Sequence, residues 1–265
     1  MRAFVNGVGL IGPGLQGWHA TRQMLAGAAS YRPAATEAPQ SDLLPAAERR
    51  RMAMPVKLAL AAGQEAFTHA GVDAATTSTV FASSSGDGDN VHAIFETLAL
   101  PMPEISPTRF HNSVHNAAAG YWSIAMRSLE RSTSLGCFDG SFAAGLLESA
   151  CQAAADRVPV GLIAYDVPYP EPLNSVRRVS ATFGVALVLA PEATERTLAV
   201  IDVTLAAARD KATEMTDEFL DALRTGVPAA RSLSLLAALA RTSRETVVLD
   251  YLDGLQLHVT VAQCE

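Results

Sequence analysis

Two nearly continuous apolar runs constrain the fold of this chain more than any other feature of its sequence. They are VPVGLIAYDV at 158–167 and ATFGVALVLA at 181–190, and the Pro-rich segment VPYPEPLN at 167–174 links them. Strands that are apolar at successive positions, rather than at alternate ones, are typical of a sheet that helices cover on both faces. The chain is therefore predicted to contain a parallel or mixed sheet within a layered α/β fold.

Other segments supply further strands and the helices between them. Strands are predicted at 3–12, 77–85, 131–137 and 197–207, and helices at 45–70 with a break at Pro55 and a stop at Gly71, at 91–98, at 117–130 and from Cys137 to about Asp156. Near the end, the apolar helix SLSLLAALART precedes two alternating runs joined by Asp253-Gly254, which is a strong hairpin signal. Strands alternating with helices indicate the α/β class.

Charge and cysteine usage exclude several classes of protein. The net charge of −7 argues against a general binder of nucleic acids or anionic membranes, because such binders need a basic face. No apolar run is long enough to span a membrane, and the start MRAFVNGVGLIGPG does not resemble a signal peptide. Cys137, Cys151 and Cys264 are odd in number and far apart, which predicts free thiols in a reducing cytoplasm. The sequence has no CxxC pair, the HxxxH spacing of His111 and His115 is not taken to support a metal site, and no cofactor is expected.

The stretch STSLGCFDGSFAAGLLESA at 132–150 places Cys137 between a strand and a helix. The N–H groups and the dipole at a helix N-terminus favour negative charge and can lower a thiol pKa from about 8.5 to roughly 3.5–7.5. This position predicts a thiol that ionises easily and acts as a nucleophile, on a tight turn that Gly136 and Gly140 permit. The alternative is a small buried residue that fills a contact between helix and sheet. The local pattern leaves both interpretations open.

Five segments together resemble the N-terminal half of a β-ketoacyl synthase of the thiolase superfamily. They are FVNGVGLIGPG at 4–14, RRRMAMPVKLALAAGQEAFTHAGVD at 49–73, VFASSSGDG at 80–88, SPTRFHNSVHNAAAGYWSIAMRS at 106–128 and FGVALVLAPE at 183–192. In this resemblance, which covers about residues 1–205, Cys137 lies at the position of the nucleophile of the synthases. More narrowly, RFHNSVHNAAAGYWSI at 109–124 and LDYLDGLQLHV at 249–259 resemble chain-length-factor-like homologues of aryl polyene and xanthomonadin-type clusters. Those homologues look like noncatalytic partners of a complete synthase.

The resemblance implies a thiolase-like α-β-α fold in two unequal parts. Residues 1–205 would form a nearly complete N-terminal half, and residues 206–265 a C-terminal half truncated to a helix and a hairpin on the same core. A complete second half with five strands and three helices needs about 100 residues, more than the segment 206–265 provides. The resemblance also implies the strand order 3-2-1-4-5, which puts the strand before Cys137 at an edge of the sheet.

The groups that a condensing synthase needs besides its cysteine are missing from the sequence. The resemblance places them in motifs of the kind His-Gly-Thr-Gly-Thr and Asn-Ser-Phe-Gly-Phe-Gly-Gly-His, and neither motif occurs. After Cys137 the sequence has one histidine, His258, in the terminal hairpin. His111 and His115 lie upstream, and a cap or turn role competes with a pocket or interface role for His115 and Asn116. The chain is therefore not expected to condense malonyl units by itself.

Two hypotheses for the function remain open at this stage. In the first, a chain-length-factor subunit pairs with a complete ketosynthase and shapes its acyl tunnel in polyene or fatty-acid-like biosynthesis, without binding nucleic acid or spanning a membrane. Acyl carrier protein would dock on the partner or on Arg49, Arg50 and Arg51. The predicted tunnel or interface residues are Phe110, His111, His115, Asn116, Phe138 and Phe142. In the second, a stand-alone acyltransferase or hydrolase uses Cys137, which chain-length factors of aromatic pathways usually replace. A homodimer of the isolated chain, binding an acyl ligand, is a further alternative.

Overall fold

A computed structural model describes residues 1–37, 39 and 42–264. The strands are β1 (Arg2–Gly12), β2 (Leu15–Gln16), β3 (Ser78–Ala82), β4 (Ser132–Leu135), β5 (Val160–Asp166), β6 (Phe183–Ala190), β7 (Ala199–Ala207), β8 (Glu245–Asp250) and β9 (Leu255–Ala262). The helices are α1 (Trp18–Leu25), α2 (Ala46–Arg49), α3 (Met54–Ala70), α4 (Gly88–Leu98), α5 (Pro107–Asn112), α6 (Ala117–Met126), α7 (Ser141–Asp156), α8 (Leu173–Val176), α9 (Glu218–Gly226) and α10 (Leu233–Arg241). The alternation of strands and helices confirms the predicted α/β class.

Most helix boundaries follow from local sequence signals. The predicted helix at 45–70 is divided into α2 and α3, because Pro55 stands in the first turn of α3, where its missing N–H leaves no hydrogen bond unmade. Gly71 ends α3 with a φ of 65°, as expected for a left-handed helix stop. No prediction covered α1 or α9, which are short helices with one buried face each.

Nine strands within the described residues form one mixed sheet. Its order is β4-β3-β5-β6-β1-β7-β9-β8, and β2 pairs with the end of β1. The strand before Cys137 is at an edge, as predicted, but the predicted order 3-2-1-4-5 is wrong. β5 and β6 pair directly in antiparallel register, which places β5 next to β3 and leaves β1 between β6 and β7. The apolar runs of β5 and β6 are therefore the buried centre of the sheet.

Helices cover both faces of this sheet, as the two apolar runs predicted. On one face α3 and α6 pack on the strands, with the rings of Phe67 and Trp122 5.2 Å apart. On the other face α7 and α10 bury Phe142 and a group of leucines, and α1 lies beside α10. Gly9 lets β1 approach the backbone of α3, because a Cβ there would lie 1.9 Å from the Ala62 carbonyl oxygen. None of the helices in the described ranges has the length and apolarity that crossing a bilayer requires.

The last part of the chain extends the same sheet. β9 pairs with β7, and β8 pairs with β9 through a turn in which Gly254 has a φ of 75°, so the predicted Asp253-Gly254 hairpin is confirmed. The predicted boundary between 205 and 206 falls inside β7. The division of the chain into a nearly complete half and a reduced half stays a prediction.

The two edge strands of the sheet, β8 and β4, differ in whether the backbone groups on their outer sides are hydrogen-bonded. At β8, Thr213 donates its backbone N–H to the Val248 carbonyl, and the Thr213 Oγ1 accepts the Val248 N–H, both over 2.9 Å. At β4, the carbonyls of Arg131 and Leu135 accept from β3, so by alternation the backbone groups of Ser132 and Ser134 point away from the sheet. Nothing among the described residues pairs with that outer side of β4, which leaves it open to a further strand.

Candidate functional site

A tight elbow carries Cys137 between β4 and α7. A 3-10 turn at Phe138–Gly140 follows the cysteine, and Phe138 takes a φ of 49°, which costs a non-glycine residue about 1–3 kcal/mol. The Cys137 N–H donates to the Ser141 Oγ over 2.9 Å, and the Ser141 hydroxyl donates to the Phe138 carbonyl over 2.7 Å. Gly140 is in contact with the terminal hairpin, since a Cβ there would lie 2.4 Å from the Tyr251 carbonyl oxygen. The elbow predicted from the sequence is therefore present and closely packed.

The thiol of Cys137 does not ionise more easily than usual, contrary to the expectation from its place before a helix. Burial raises its pKa, and no opposing charge or hydrogen bond lowers it. The physical reason is the loss of solvation on burial, which penalises the charged thiolate. A 3-10 turn lies between Cys137 and the start of α7 at Ser141. Within the described part of the chain, no histidine nitrogen is hydrogen-bonded to the thiol.

The pKa of Cys137 predicts how the thiol will react with alkylating reagents. In a Cys151→Ser, Cys264→Ser background, we expect the rate of iodoacetamide alkylation at Cys137 to be still rising at about pH 8.5, where an ordinary thiol is half ionised, because the thiolate is the reacting form. Intact-protein mass spectrometry of samples quenched over time measures this rate. A rate that reaches its plateau below about pH 7.5 would show an activated thiolate and contradict the prediction.

His115 lies directly behind the elbow, but its ring is already engaged. Its Nε2 is 3.0 Å from the Ser83 carbonyl oxygen, which requires that Nε2 carries the proton and donates. The same nitrogen lies 3.3 Å from where a Cβ of Gly136 would be, so the ring fills the space beside that glycine. Asn116 precedes α6 without making a side-chain capping bond. His115 thus connects the end of β3 to the elbow.

Charged side chains surround the aromatic ring that follows Cys137. The Arg177 guanidinium lies 3.8 Å from the centre of the Phe138 ring and pairs with Asp139. Arg231 bridges Asp139 and Asp250 at 3.2 and 3.4 Å. These contacts join the elbow to the loop after α8 and to β8. A cavity of about 780 Å³ opens beside Cys137, and residues 250–255 of the hairpin line its other side.

A second, mainly apolar cavity of about 560 Å³ lies between α4 and the Pro-rich loop after β5. Val91 and Phe95 line it from α4, Tyr169 lines it from the loop, and Leu173 and Val176 line it from α8. Ligand cavities in this size range with few polar groups are typical sites for apolar molecules. An elongated hydrocarbon group fits such a lining.

Exposed apolar side chains cluster on the elements before β4. A groove of about 470 Å³ on α5 and α6 is lined by Phe110, His111, Val114, Asn116 and Ile124, among others. The side chain of Phe110 is 67% exposed and that of Phe138 64%, while Phe142 is buried in the core. Met102, Ile124 and Leu129, which also precede β4, are exposed as well. Of the predicted tunnel or interface residues, Phe110, His111 and Asn116 thus share one groove, Phe138 lies at the elbow, and Phe142 does not reach the surface.

The arginine run before α3 is partly neutralised. Arg49 pairs with Asp42 at 3.3 Å, and Arg51 pairs with Glu48 at 3.3 Å. Arg50 is exposed and forms no ion pair within the described ranges. A nearby cavity is lined by Arg50, Arg51 and Arg109 and also by the acidic residues Asp87 and Asp89. The run therefore presents a mixed surface rather than a purely basic one.

A buried carboxylate that no sequence motif indicated holds three segments around the site. Asp166, at the end of β5, accepts hydrogen bonds from the Ser84 N–H and Oγ at 2.8 and 2.7 Å and from the Ser83 Oγ at 3.3 Å. Its other oxygen accepts the Ala229 N–H at 2.8 Å. Complete burial raises the pKa of Asp166 to about 6, although these hydrogen bonds oppose the shift. In the sequence, Asp166 was visible only as the polar end of an apolar run.

The described residues contain no group of three or more His, Cys, Asp and Glu side chains arranged to hold a metal ion. The candidate site therefore consists of the Cys137 elbow, the cavity beside it and the apolar cavity under α4. The structure brings Cys137, Phe138 and His115 together, and it places the Arg49–Arg51 run next to α5 through a hydrogen bond from the Asn112 side chain to the Arg51 carbonyl.

Comparisons with known proteins agree with this arrangement. The family model of the β-ketoacyl synthase N-terminal domain matches residues 18–249. No curated protein sequence matches the chain. Among solved structures, the chain is similar to a ketosynthase (ApeO) in complex with its chain length factor (ApeC) from Xenorhabdus doucetiae, with 21% identity and a TM-score of 0.74 over 98% of this chain and 99% of that one.

Two further solved structures show the same fold. One is the AntDE:AntF complex, a type II acyl-carrier protein with its ketosynthase, at 13% identity and a TM-score of 0.74 over 99% of both chains. The other is the ishigamide ketosynthase/chain length factor, at 14% identity and a TM-score of 0.68 over the whole of both chains. These likenesses confirm the thiolase-like fold, and the family model covers most of the sequence. This chain belongs to the β-ketoacyl synthase N-terminal domain family.

Proposed function

We propose that this chain is a chain-length-factor-type subunit, which pairs with a complete ketosynthase and shapes the tunnel that holds the growing acyl chain. The observation that carries the proposal is the uncovered outer side of β4 at the edge of the sheet. Exposed apolar side chains on α5 and α6, such as Phe110 and Ile124, add to it. Monomeric soluble proteins rarely expose large contiguous apolar patches, and an open edge strand adds backbone groups that a partner strand can pair with.

The two cavities support the second part of the proposal. The apolar cavity under α4 suits an elongated acyl chain, because Val91, Phe95 and the loop after β5 offer it almost no polar groups. The groove at Phe110 and His111 is also mainly apolar, with Val114 and Ile124 in its lining. Side chains from this subunit would therefore limit how far a growing polyene or fatty-acid-like chain can extend. Carrier protein would dock on the partner or near Arg49, Arg50 and Arg51.

The chemistry of the elbow supports leaving condensation to the partner. The pKa of Cys137 is raised by burial, the His115 ring is bound to the Ser83 carbonyl, and the cavity beside the thiol contains no histidine. Similar solved structures include a ketosynthase with its chain length factor and a ketosynthase with its acyl-carrier protein, which are the kinds of partner proposed here.

Coexpression with the complete ketosynthase from the same gene cluster tests this function. We expect a tagged form of this chain to copurify that synthase in a stable one-to-one complex, and the Cys137→Ala variant to copurify equally and leave the product unchanged. The reason is that the proposed role uses the surface and cavities of the chain, not its thiol. A stable monomer with no affinity for such a synthase would contradict the proposal.

A second candidate function is supported by the cavity beside Cys137, which leaves the thiol partly accessible. In this alternative the chain is a thioester acyltransferase or hydrolase that acts alone or as a homodimer. Incubation with acyl-carrier protein, followed by mass spectrometry, separates the two. An acyl adduct on Cys137 together with loss of product in Cys137→Ala would favour the enzyme, and the absence of both would exclude it.

A further inference from the structure

The backbone amide of Cys137 is the group that decides whether its thiol could exchange a thioester. In that reaction the thiolate attacks the carbonyl carbon, a new C–S bond forms, and the oxygen becomes an oxyanion. The intermediate then expels the original thiolate, which takes up a proton, and the acyl group stays on the cysteine. Enzymes that do this hold the oxyanion with preorganised donors, among which the N–H of the nucleophile itself is common.

In this chain the donor is already bound. The Cys137 N–H donates to the Ser141 Oγ at 2.9 Å, and the same hydroxyl donates its proton to the Phe138 carbonyl at 2.7 Å. Ser141 is the first residue of α7 and is 1% exposed, so water does not compete for this hydroxyl. The Ser141 hydroxyl thus accepts one hydrogen bond and donates another, both within the turn at 137–141.

Two further contacts hold the elbow in this form. The Gly140 N–H donates to the Cys137 carbonyl at 2.8 Å, and Gly140 itself is pressed against the Tyr251 carbonyl. The ion pair of Asp139 with Arg177, with Arg177 stacked on Phe138, fixes the residues between Cys137 and Ser141. These contacts do not involve the Ser141 hydroxyl, so the backbone should keep its conformation when that hydroxyl is removed, and the Cys137 N–H is then unbound.

We propose that Ser141 is a built-in block on acyl transfer at Cys137, because its hydroxyl occupies the backbone N–H that the oxyanion of a thioester would need. This inference goes beyond the proposed pairing with a ketosynthase and stands on the elbow alone. It holds whether or not the chain binds a partner. It also explains how a cysteine can be kept at this position without competing for acyl groups.

The test compares two reactions of the same thiol, one that needs an oxyanion donor and one that does not. Acylation by the decanoyl thioester of N-acetylcysteamine and alkylation by iodoacetamide are followed by intact-protein mass spectrometry in a Cys151→Ser, Cys264→Ser background. In Ser141→Ala we expect acylation to rise at least about tenfold while alkylation changes less than about twofold, since one oxyanion donor is worth about 10²–10³ in rate.

Ser141→Gly is a second variant without the hydroxyl, and circular dichroism identifies which of the two keeps the native fold. Cys137→Ala gives the background signal of both reagents. Acylation that stays at the parent rate overturns the inference. So does a parallel rise of both reactions, which would mean that the substitution had only exposed the thiol. Copurification with a ketosynthase is measured separately, so the two proposals fail independently.

Discussion

Replacing Ser134 by proline should strongly weaken pairing with a complete ketosynthase while leaving the chain folded. The backbone N–H of Ser134 points away from β3, so proline removes no hydrogen bond of the existing sheet. It removes a donor from the outer side of β4 and places its ring where a partner strand would lie. We expect affinity for the partner to fall by about two orders of magnitude, or about 3 kcal/mol, because a partner carbonyl is left unpaired and the strands are held apart.

Ser134→Ala is the matched control, because it keeps the backbone N–H and removes only the hydroxyl. That hydroxyl is buried and has no hydrogen-bond partner in the isolated chain, so the alanine variant should bind at least as well as the parent. Biolayer interferometry gives the affinities and thermal melting gives the stability. A proline variant that remains folded and binds the synthase like the parent would show that the interface lies elsewhere than the β4 edge.

Replacing Asp166 by alanine should lower the free energy of unfolding by about 3–5 kcal/mol. The carboxylate satisfies the N–H groups of Ser84 and Ala229 in a fully buried position, and each unmade bond of that kind costs about 1–3 kcal/mol. Urea denaturation followed by circular dichroism measures the loss. Asp166→Asn is the matched control, because it keeps one accepting oxygen and should lose less stability. Equal stability of Asp166→Ala and the parent would show that other groups hold these loops.

The same residue predicts a pH dependence with a definite sign. The folded-state pKa of about 6 lies above the unfolded value of about 3.9, so the folded chain binds more protons between these values. The stabilising effect of protonating Asp166 is complete below about pH 4 and is lost as the pH rises through about 6. As the pH falls from about 7 to 5, the unfolding free energy of the parent should therefore rise relative to that of Asp166→Asn. A pH-independent difference would contradict the raised pKa.

The elements of this fold were predictable where the signal is local. The apolar runs of β5 and β6, the glycine stop after α3 and the Asp253-Gly254 hairpin all appear as the patterns indicate. The order of the strands was not predictable, because the position of β1 depends on pairing with β6 and β7, which lie far away in the sequence. Periodicity reports which faces of a strand are buried, but it does not report the neighbours.

In the candidate site, too, local features were predictable and features that depend on distant contacts were not. The spacing of glycines around Cys137 predicted a tight turn, and the turn is there. The ionisation of the thiol was not predictable, because it depends on how far the folded chain buries the thiol, which the local pattern does not report. Asp166 and Arg177 act through contacts with residues from separate loops, so no motif marked them.

The unequal ends of the sheet also set how large an assembly can grow through strand pairing. One end is open at β4, while the middle of the other is capped where Thr213 occupies both backbone groups of Val248. A chain with two open ends would add copies in succession and form a filament. Because β8 is capped at its middle, we expect strand addition to this chain to take place at β4 and to add one neighbour there.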